Sequence, residues 1–146
     1  MQWIPINDKS IGQFADNWEA SAGYALMRGQ VVATPAGSAL LGKEAALTPR
    51  HSANLWLKRR LGGPWYVAGG VNAQSARFAA PDNAIALPGY AVAQLGAGYA
   101  EGHWDVTLTL KTLFDRKYFI AAHSGANDYN MPGEPRALGA GVRYRF

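Results

Sequence analysis

Three histidines, His51, His103 and His123, are the residues of this 146-residue chain best able to hold a metal or move a proton. No two of them stand at i, i+2 or i, i+4, the spacing by which one strand or helix turn offers two ligands to one ion. His103 and Asp105 are two apart, which puts them on one face of a strand as an acid–base couple. No serine or cysteine is positioned to be activated by them. The chain has no cysteine at all, which excludes a disulfide framework and thiolate metal sites. Each histidine reads as a turn or surface residue, with no catalytic residue, metal site or cofactor. Lys58-Arg59-Arg60 is a compact run of cations. Lacking aromatics interleaved on one face, it makes no nucleic-acid platform and reads as interfacial anchoring.

The elements that carry these residues are written in the composition. Apolar residues make up 49% and aromatic residues 12%, while charged residues are only 16%, below the ~25% usual for soluble domains. There are 17 glycines, 8 prolines, five tryptophans and seven tyrosines, and the net charge is a mild +4. The length is that of one domain able to bury a core. No stretch approaches the ~18 consecutive apolar residues of a spanning helix, and the first residues lack the pattern of a secretory signal. Low charge with abundant Trp and Tyr points to a solvent other than water alone.

Period-2 alternation dominates, so the fold class is all-β. In residues 104–111 the apolar set Trp104, Val106, Leu108 and Leu110 alternates with Asp105, Thr107, Thr109 and Lys111. A strand with faces this different lies between two different media. The same parity gathers Trp18, Ala20, Ala22, Tyr24 and Leu26; Ala53, Leu55 and Leu57; Trp65, Val67, Gly69, Val71 and Ala73; Ala91, Ala93, Leu95, Ala97 and Tyr99; and Val142, Tyr144 and Phe146. Six strands follow. Residues 1–15 read as a poorly structured stub of a preceding strand near Ile11 to Phe14, with Pro5 and Asn7-Asp8 just before it and a turn at Asp16-Asn17 just after it.

Connections alternate between tight turns, at 61–64 and 100–102, and long Gly-, Pro- and Asn-rich stretches at 34–47, 79–88 and 118–135. Strands of about ten residues with short turns at one end and long loops at the other are the pattern of an up-and-down transmembrane β-barrel. Trp18, Trp65, Tyr99, Trp104 and Phe146 fall at the tight-turn end of the apolar face, where an interfacial girdle against the lipid bilayer belongs. Phe114 suits the opposite girdle, whereas Phe78 and Tyr90 fall on the other parity. Arg59 sits on the apolar face close enough to a turn to snorkel. Trp56, Asn72, Gln74, Lys111, Arg143 and Arg145 take the inner, polar face.

Thr112-Leu113-Phe114-Asp115-Arg116-Lys117-Tyr118 resembles a stretch in the closing strands of TonB-dependent outer-membrane receptors, with Thr112 in place of their usual asparagine. Leu47-Thr48-Pro49-Arg50-His51-Ser52-Ala53-Asn54-Leu55-Trp56 is similar to another strand of that family. His123-Ser124-Gly125-Ala126-Asn127-Asp128-Tyr129-Asn130-Met131-Pro132-Gly133 with Pro135-Arg136 is similar to the last loop of its ferric-siderophore members. The resemblance implies that residues 16–146 are C-terminal barrel strands of a receptor for ferric siderophores in the Gram-negative outer membrane. It implies that the iron is carried only as a chelate, and that the TonB complex is engaged through a plug domain outside this chain. By the same resemblance, Gly141, Tyr144 and Phe146 form the signal read by the barrel-assembly machinery. Tyr118, His123, Asn127, Tyr129 and Asn130 offer aromatic and hydrogen-bonding contacts to the chelate. Six strands fall short of the smallest closed barrel of ~8, so Trp18–Leu26 and residues 137–146 are expected as open edges prone to self-association. Two alternatives stay open: a complete eight-stranded structural or adhesive barrel, and a water-soluble binding barrel with its apolar face inside.

Overall fold

The computed structural model describes residues 6–35, 38–122 and 129–146, with 6–14 described as backbone only. Its strands, all antiparallel to their partners, are β1 (Ile6–Ala15), β2 (Trp18–Leu26), β3 (His51–Gly62), β4 (Trp65–Gln74), β5 (Arg77–Phe78), β6 (Ala86–Leu87), β7 (Tyr90–Glu101), β8 (Trp104–Lys111), β9 (Phe119–Ala122), β10 (Asn130–Pro132) and β11 (Ala137–Tyr144). Seven of them form one open sheet in the order β1-β2-β3-β4-β7-β8-β11. The remaining four pair two by two, β5 with β6 and β9 with β10, inside the long connections. The all-β, up-and-down class expected from the alternation is what the chain adopts.

Register explains why one face stays apolar across the sheet. Ala22 pairs with Leu55, Leu55 with Val71, Val71 with Ala93, Ala97 with Leu108, and Leu108 with Ala140. A slip of one residue in any hairpin would turn that strand's apolar set to the other side. Tight turns hold the register at one end. Each is two residues long and contains a residue in the left-handed region: Asn17 (φ 69°), Gly63 (φ 56°) and Gly102 (φ 56°). Such turns match the twist of the flanking strands. All three long connections, 27–50, 75–89 and 112–136, leave from the opposite end.

One expectation is corrected. Residues 6–15, read as a stub, form a ten-residue strand paired along its length with β2 from Ile6↔Leu26 to Ala15↔Trp18, with a bulge near Gln13. The pairing is made by backbone groups offered by β2, and it needs no alternation in Asn7-Asp8-Lys9-Ser10. Asp16-Asn17, expected as a turn just after the stub, is the hairpin turn that joins β1 to β2. The sheet therefore has seven strands, and its open edges are β1 and β11, with Trp18–Leu26 inside.

Exposure is inverted relative to a water-soluble barrel. In β8, Trp104, Val106 and Leu108 are exposed while Asp105, Thr107 and Thr109 are half-buried. The buried apolar cluster lies among the long connections, where Ala79, Leu87 and Ala122 pack together.

Candidate functional site

Three zones of this fold carry the side chains that could act, and each is built differently. At the tight-turn end of the apolar face, aromatic rings meet in pairs dictated by register. Trp65 opposes Tyr99, and their rings meet edge-on at 5.0 Å. Trp104 opposes Tyr144, ring to ring at 4.8 Å, and Phe146 continues the row at 5.2 Å from Tyr144. Trp18 lies under the Arg59 guanidinium at 5.3 Å. Edge-to-face pairs add roughly 0.5–1.5 kcal/mol each beyond the area they bury. Tyr99 donates its hydroxyl hydrogen bond to the Glu101 carboxylate at the turn. Gly141 pairs with Thr107 in the edge strand, so Gly141, Tyr144 and Phe146 stand beside β8 with their outer side unpaired in this sheet.

The inner, polar face is a set of engaged groups. Tyr66 shares its hydroxyl between Thr107 Oγ1 at 2.9 Å and Asp105 Oδ1 at 3.3 Å, while the Lys58 ammonium sits 4.4 Å above its ring. That ring lies flat against Gly98, where a Cβ would stand 2.1 Å from Tyr66 Cζ. Only glycine leaves the tyrosine room. Trp56 covers Gly70, its register partner, in the same way. Arg145 reaches Asp105 at 4.0 Å, and Arg60 holds Glu19 at 2.9 Å. Asn72 and Gln74 sit in the same row as Asn54 and Ser52, and Arg143 opposes Asp105. His103 does not couple to Asp105: its Nδ1 donates to the Arg145 carbonyl at 2.8 Å from the turn. On the apolar side, at the long-connection end, His51 is bonded through Nδ1 to the Tyr24 hydroxyl at 2.7 Å. Among the described residues no group of His, Asp and Glu is arranged to hold a metal.

The third zone is the layer of long connections. Its centre is Arg77, 4% exposed, whose Nη2 donates to the carbonyls of Phe119 at 2.9 Å and Ile120 at 2.7 Å. The guanidinium lies 5.7 Å from the Tyr90 ring, which in turn packs on Tyr118 at 4.4 Å. Asn83 ties a second pair of connections by accepting from the Glu44 amide at 2.7 Å and donating to its carbonyl at 2.9 Å. The Leu47 amide donates to the Phe78 carbonyl at 2.8 Å. On the third connection, buried Thr112 donates to the Glu134 carbonyl and Lys111 binds the Glu134 carboxylate at 3.0 Å. Phe78 and Tyr90, which the parity left without a place in a girdle, belong to this layer; Phe114 is 78% exposed.

Of the residues read as ligand contacts, His123 and Asn127 lie outside the described residues. Tyr118 is half-buried between Tyr90 and Gly133, where it supports the connection. Tyr129 is 72% exposed, and Asn130 follows it in β10 with a buried Oδ1 that makes no hydrogen bond. Arg77 escaped the sequence reading, and Tyr90 entered it only as an aromatic off the girdle's parity. The one local signal was a cation set among small apolar residues, Ala76-Arg77-Phe78-Ala79-Ala80.

Residues 10–113 match the family described as TonB dependent receptor-like, beta-barrel. The ferric-pyoverdine BN7/BN8 receptor of Pseudomonas putida is 32% identical over 139 residues, 92% of this chain but 16% of that protein. Among solved structures, the siderophore receptor PiuA from Acinetobacter baumannii superposes with a TM-score of 0.81 at 22% identity, over 94% of this chain and 21% of its own. The ferric yersiniabactin uptake receptor FyuA from Yersinia pestis gives 0.80 at 18%, over 97% and 23%. The chain thus spans about a sixth to a quarter of the proteins it resembles. By this family match over more than two thirds of its length, the chain belongs to the TonB-dependent receptor β-barrel family.

Proposed function

We propose that this chain supplies barrel strands to a ferric-siderophore receptor of the Gram-negative outer membrane, a transport protein with no catalytic chemistry. The observation that supports this most directly is the inverted exposure of the sheet. Its apolar face is the outward one and its polar face is crowded with paired groups, as a lipid-facing barrel wall requires. The 32% identity to a ferric-pyoverdine receptor supports this substrate class. Iron is then cargo, already chelated, and the protein needs only oxygen- and ring-directed contacts to hold it. Tyr118, Tyr129 and Asn130 are the proposed contacts within the described residues, together with His123 and Asn127. The aromatic row Trp18, Trp65, Tyr99, Trp104 and Phe146 sits at the inner lipid interface. Gly141, Tyr144 and Phe146 present the edge captured by the barrel-assembly machinery. TonB is engaged through the receptor's plug domain.

A chimera tests the reading: this chain replaces the matching segment of the Pseudomonas putida receptor. Heat-modifiable migration from outer membranes and uptake of iron-55-labelled ferric pyoverdine are both expected. A chimera that never inserts overturns the barrel assignment, and one that inserts but binds no ferric siderophore overturns the substrate class.

A further inference from the structure

A groove of about 690 Å³ runs across the apolar face from Trp18 and Arg59 to Leu138. Its floor is made of small residues, Gly69, Ala93 and Ala97, and its walls of Leu55, Leu57, Val71, Leu95, Leu108 and Leu110. With strands about 4.8 Å apart, the span from β3 to β11 is roughly 20 Å, the scale of one extended acyl chain. Arg59 closes the end nearest the tight turns, the periplasmic end of such barrels. Its two neighbours in sequence are cations as well, yet they point to the polar face and are engaged, Lys58 over Tyr66 and Arg60 on Glu19. Arg59 has Trp18 and Val67 as register partners and forms no ion pair among the described residues.

We propose that this groove is a site for one anionic phospholipid of the inner leaflet, one acyl chain lying along the floor and the phosphate on Arg59. A guanidinium at headgroup depth, steadied by a tryptophan face, presents two parallel N–H donors to a phosphate. The small floor residues leave a channel that a bulkier set would fill. This goes beyond siderophore uptake and rests only on the apolar face meeting lipid.

The test uses the complete receptor barrel that carries this chain, in detergent micelles, with native mass spectrometry counting retained lipid. The probes are dipalmitoylphosphatidylglycerol and dipalmitoylphosphatidylcholine, which share their chains and differ in net charge. The expected result is preferential retention of phosphatidylglycerol by about fivefold. Arg59→Gln is expected to abolish the preference and Arg59→Lys to keep part of it. Ala93→Leu, which fills the floor with an apolar side chain that lipid tolerates, is expected to lower retention of both lipids. Equal retention of the two lipids by the unaltered protein overturns the site, as does an unchanged preference in Arg59→Gln. Each protein's heat-modifiable migration is read alongside, so a folded barrel without lipid preference sinks this site and leaves the uptake reading standing.

Discussion

The sheet and the layer of connections above it bury opposite things. In the sheet, large apolar side chains such as Trp104, Leu108 and Leu138 are exposed, and the half-buried positions of β8 are Asp105, Thr107, Thr109 and Leu110. In the connections, the largest fully buried side chain among the described residues is Leu87, packed with Ala79 and Ala122. The difference is one of solvent. The sheet's apolar face is satisfied by hydrocarbon, so its order comes from ladder hydrogen bonds, register and the polar contacts inside. The connections stand in water and fold as a small soluble protein does, by closing apolar surface and satisfying the backbone groups that closure buries.

The largest break in that contrast comes from placing a charge on the lipid face. Leu108→Arg, midway along β8, is expected to destabilise a complete barrel by about 2–4 kcal/mol, read by urea unfolding in lipid vesicles. The same substitution at Thr109, on the inner face, is expected to cost far less. Equal losses at the two positions would deny that the faces meet different media.

Second in size is Arg77→Ala. It removes the two charge-assisted hydrogen bonds that join β5 to β9 and leaves the carbonyls of Phe119 and Ile120 without their donor. A loss of about 2–3 kcal/mol is expected, confined to the connections. Hydrogen exchange checks it: faster exchange at β5, β6 and β9, with β3, β4 and β7 unchanged. Faster exchange throughout the sheet would mean the two regions are one cooperative unit.

How well each region could be read in advance follows from the same physics. Alternation is a local signal, and in β8 every position from Trp104 to Lys111 declares its face, as do the Gly-rich turns that fix the register. The layer of connections is held by contacts between residues far apart in sequence, Arg77 with Phe119 or Asn83 with Glu44, and no local period reports them. The packing of Tyr118 on Tyr90 and Gly133 is likewise visible only in three dimensions. Strand β1 was missed for a related reason. Its partner's edge is sufficient to pair it, while Asp8 and Ser10 hide any alternation. His103 was legible as a turn residue, and its bond to the Arg145 carbonyl was not.

Third comes the inner face, where glycine and aromatic are matched. Gly98→Val is expected to cost about 1–3 kcal/mol, because a Cβ there meets the Tyr66 ring and that ring is held by Thr107, Asp105 and Lys58. Combining it with Tyr66→Ala should recover part of the loss, since the ring that clashes is gone. The recovery is the informative quantity in this double-mutant cycle. Strictly additive losses would show that the ring and the glycine do not depend on one another.

The smallest effect is expected where the two regions join. Lys111 ends β8 and binds Glu134 at 3.0 Å, but both side chains are about half exposed, so solvent and salt screen the pair. Lys111→Ala should cost below about 1 kcal/mol, and the loss should fade as salt rises from low to physiological strength. The neighbouring residue makes the contrast. Thr112 is buried, with φ at 45°, and donates to the carbonyl of the same Glu134. Thr112→Val removes that donor and leaves the carbonyl unpaired. Its cost, of order 1–2 kcal/mol, should not respond to salt. Two adjacent residues touching one partner would then differ in salt response because one contact lies in water and the other is closed off from it. A salt-dependent Thr112→Val would place this junction in water throughout, and the boundary between the two regions would have to move up into the connections.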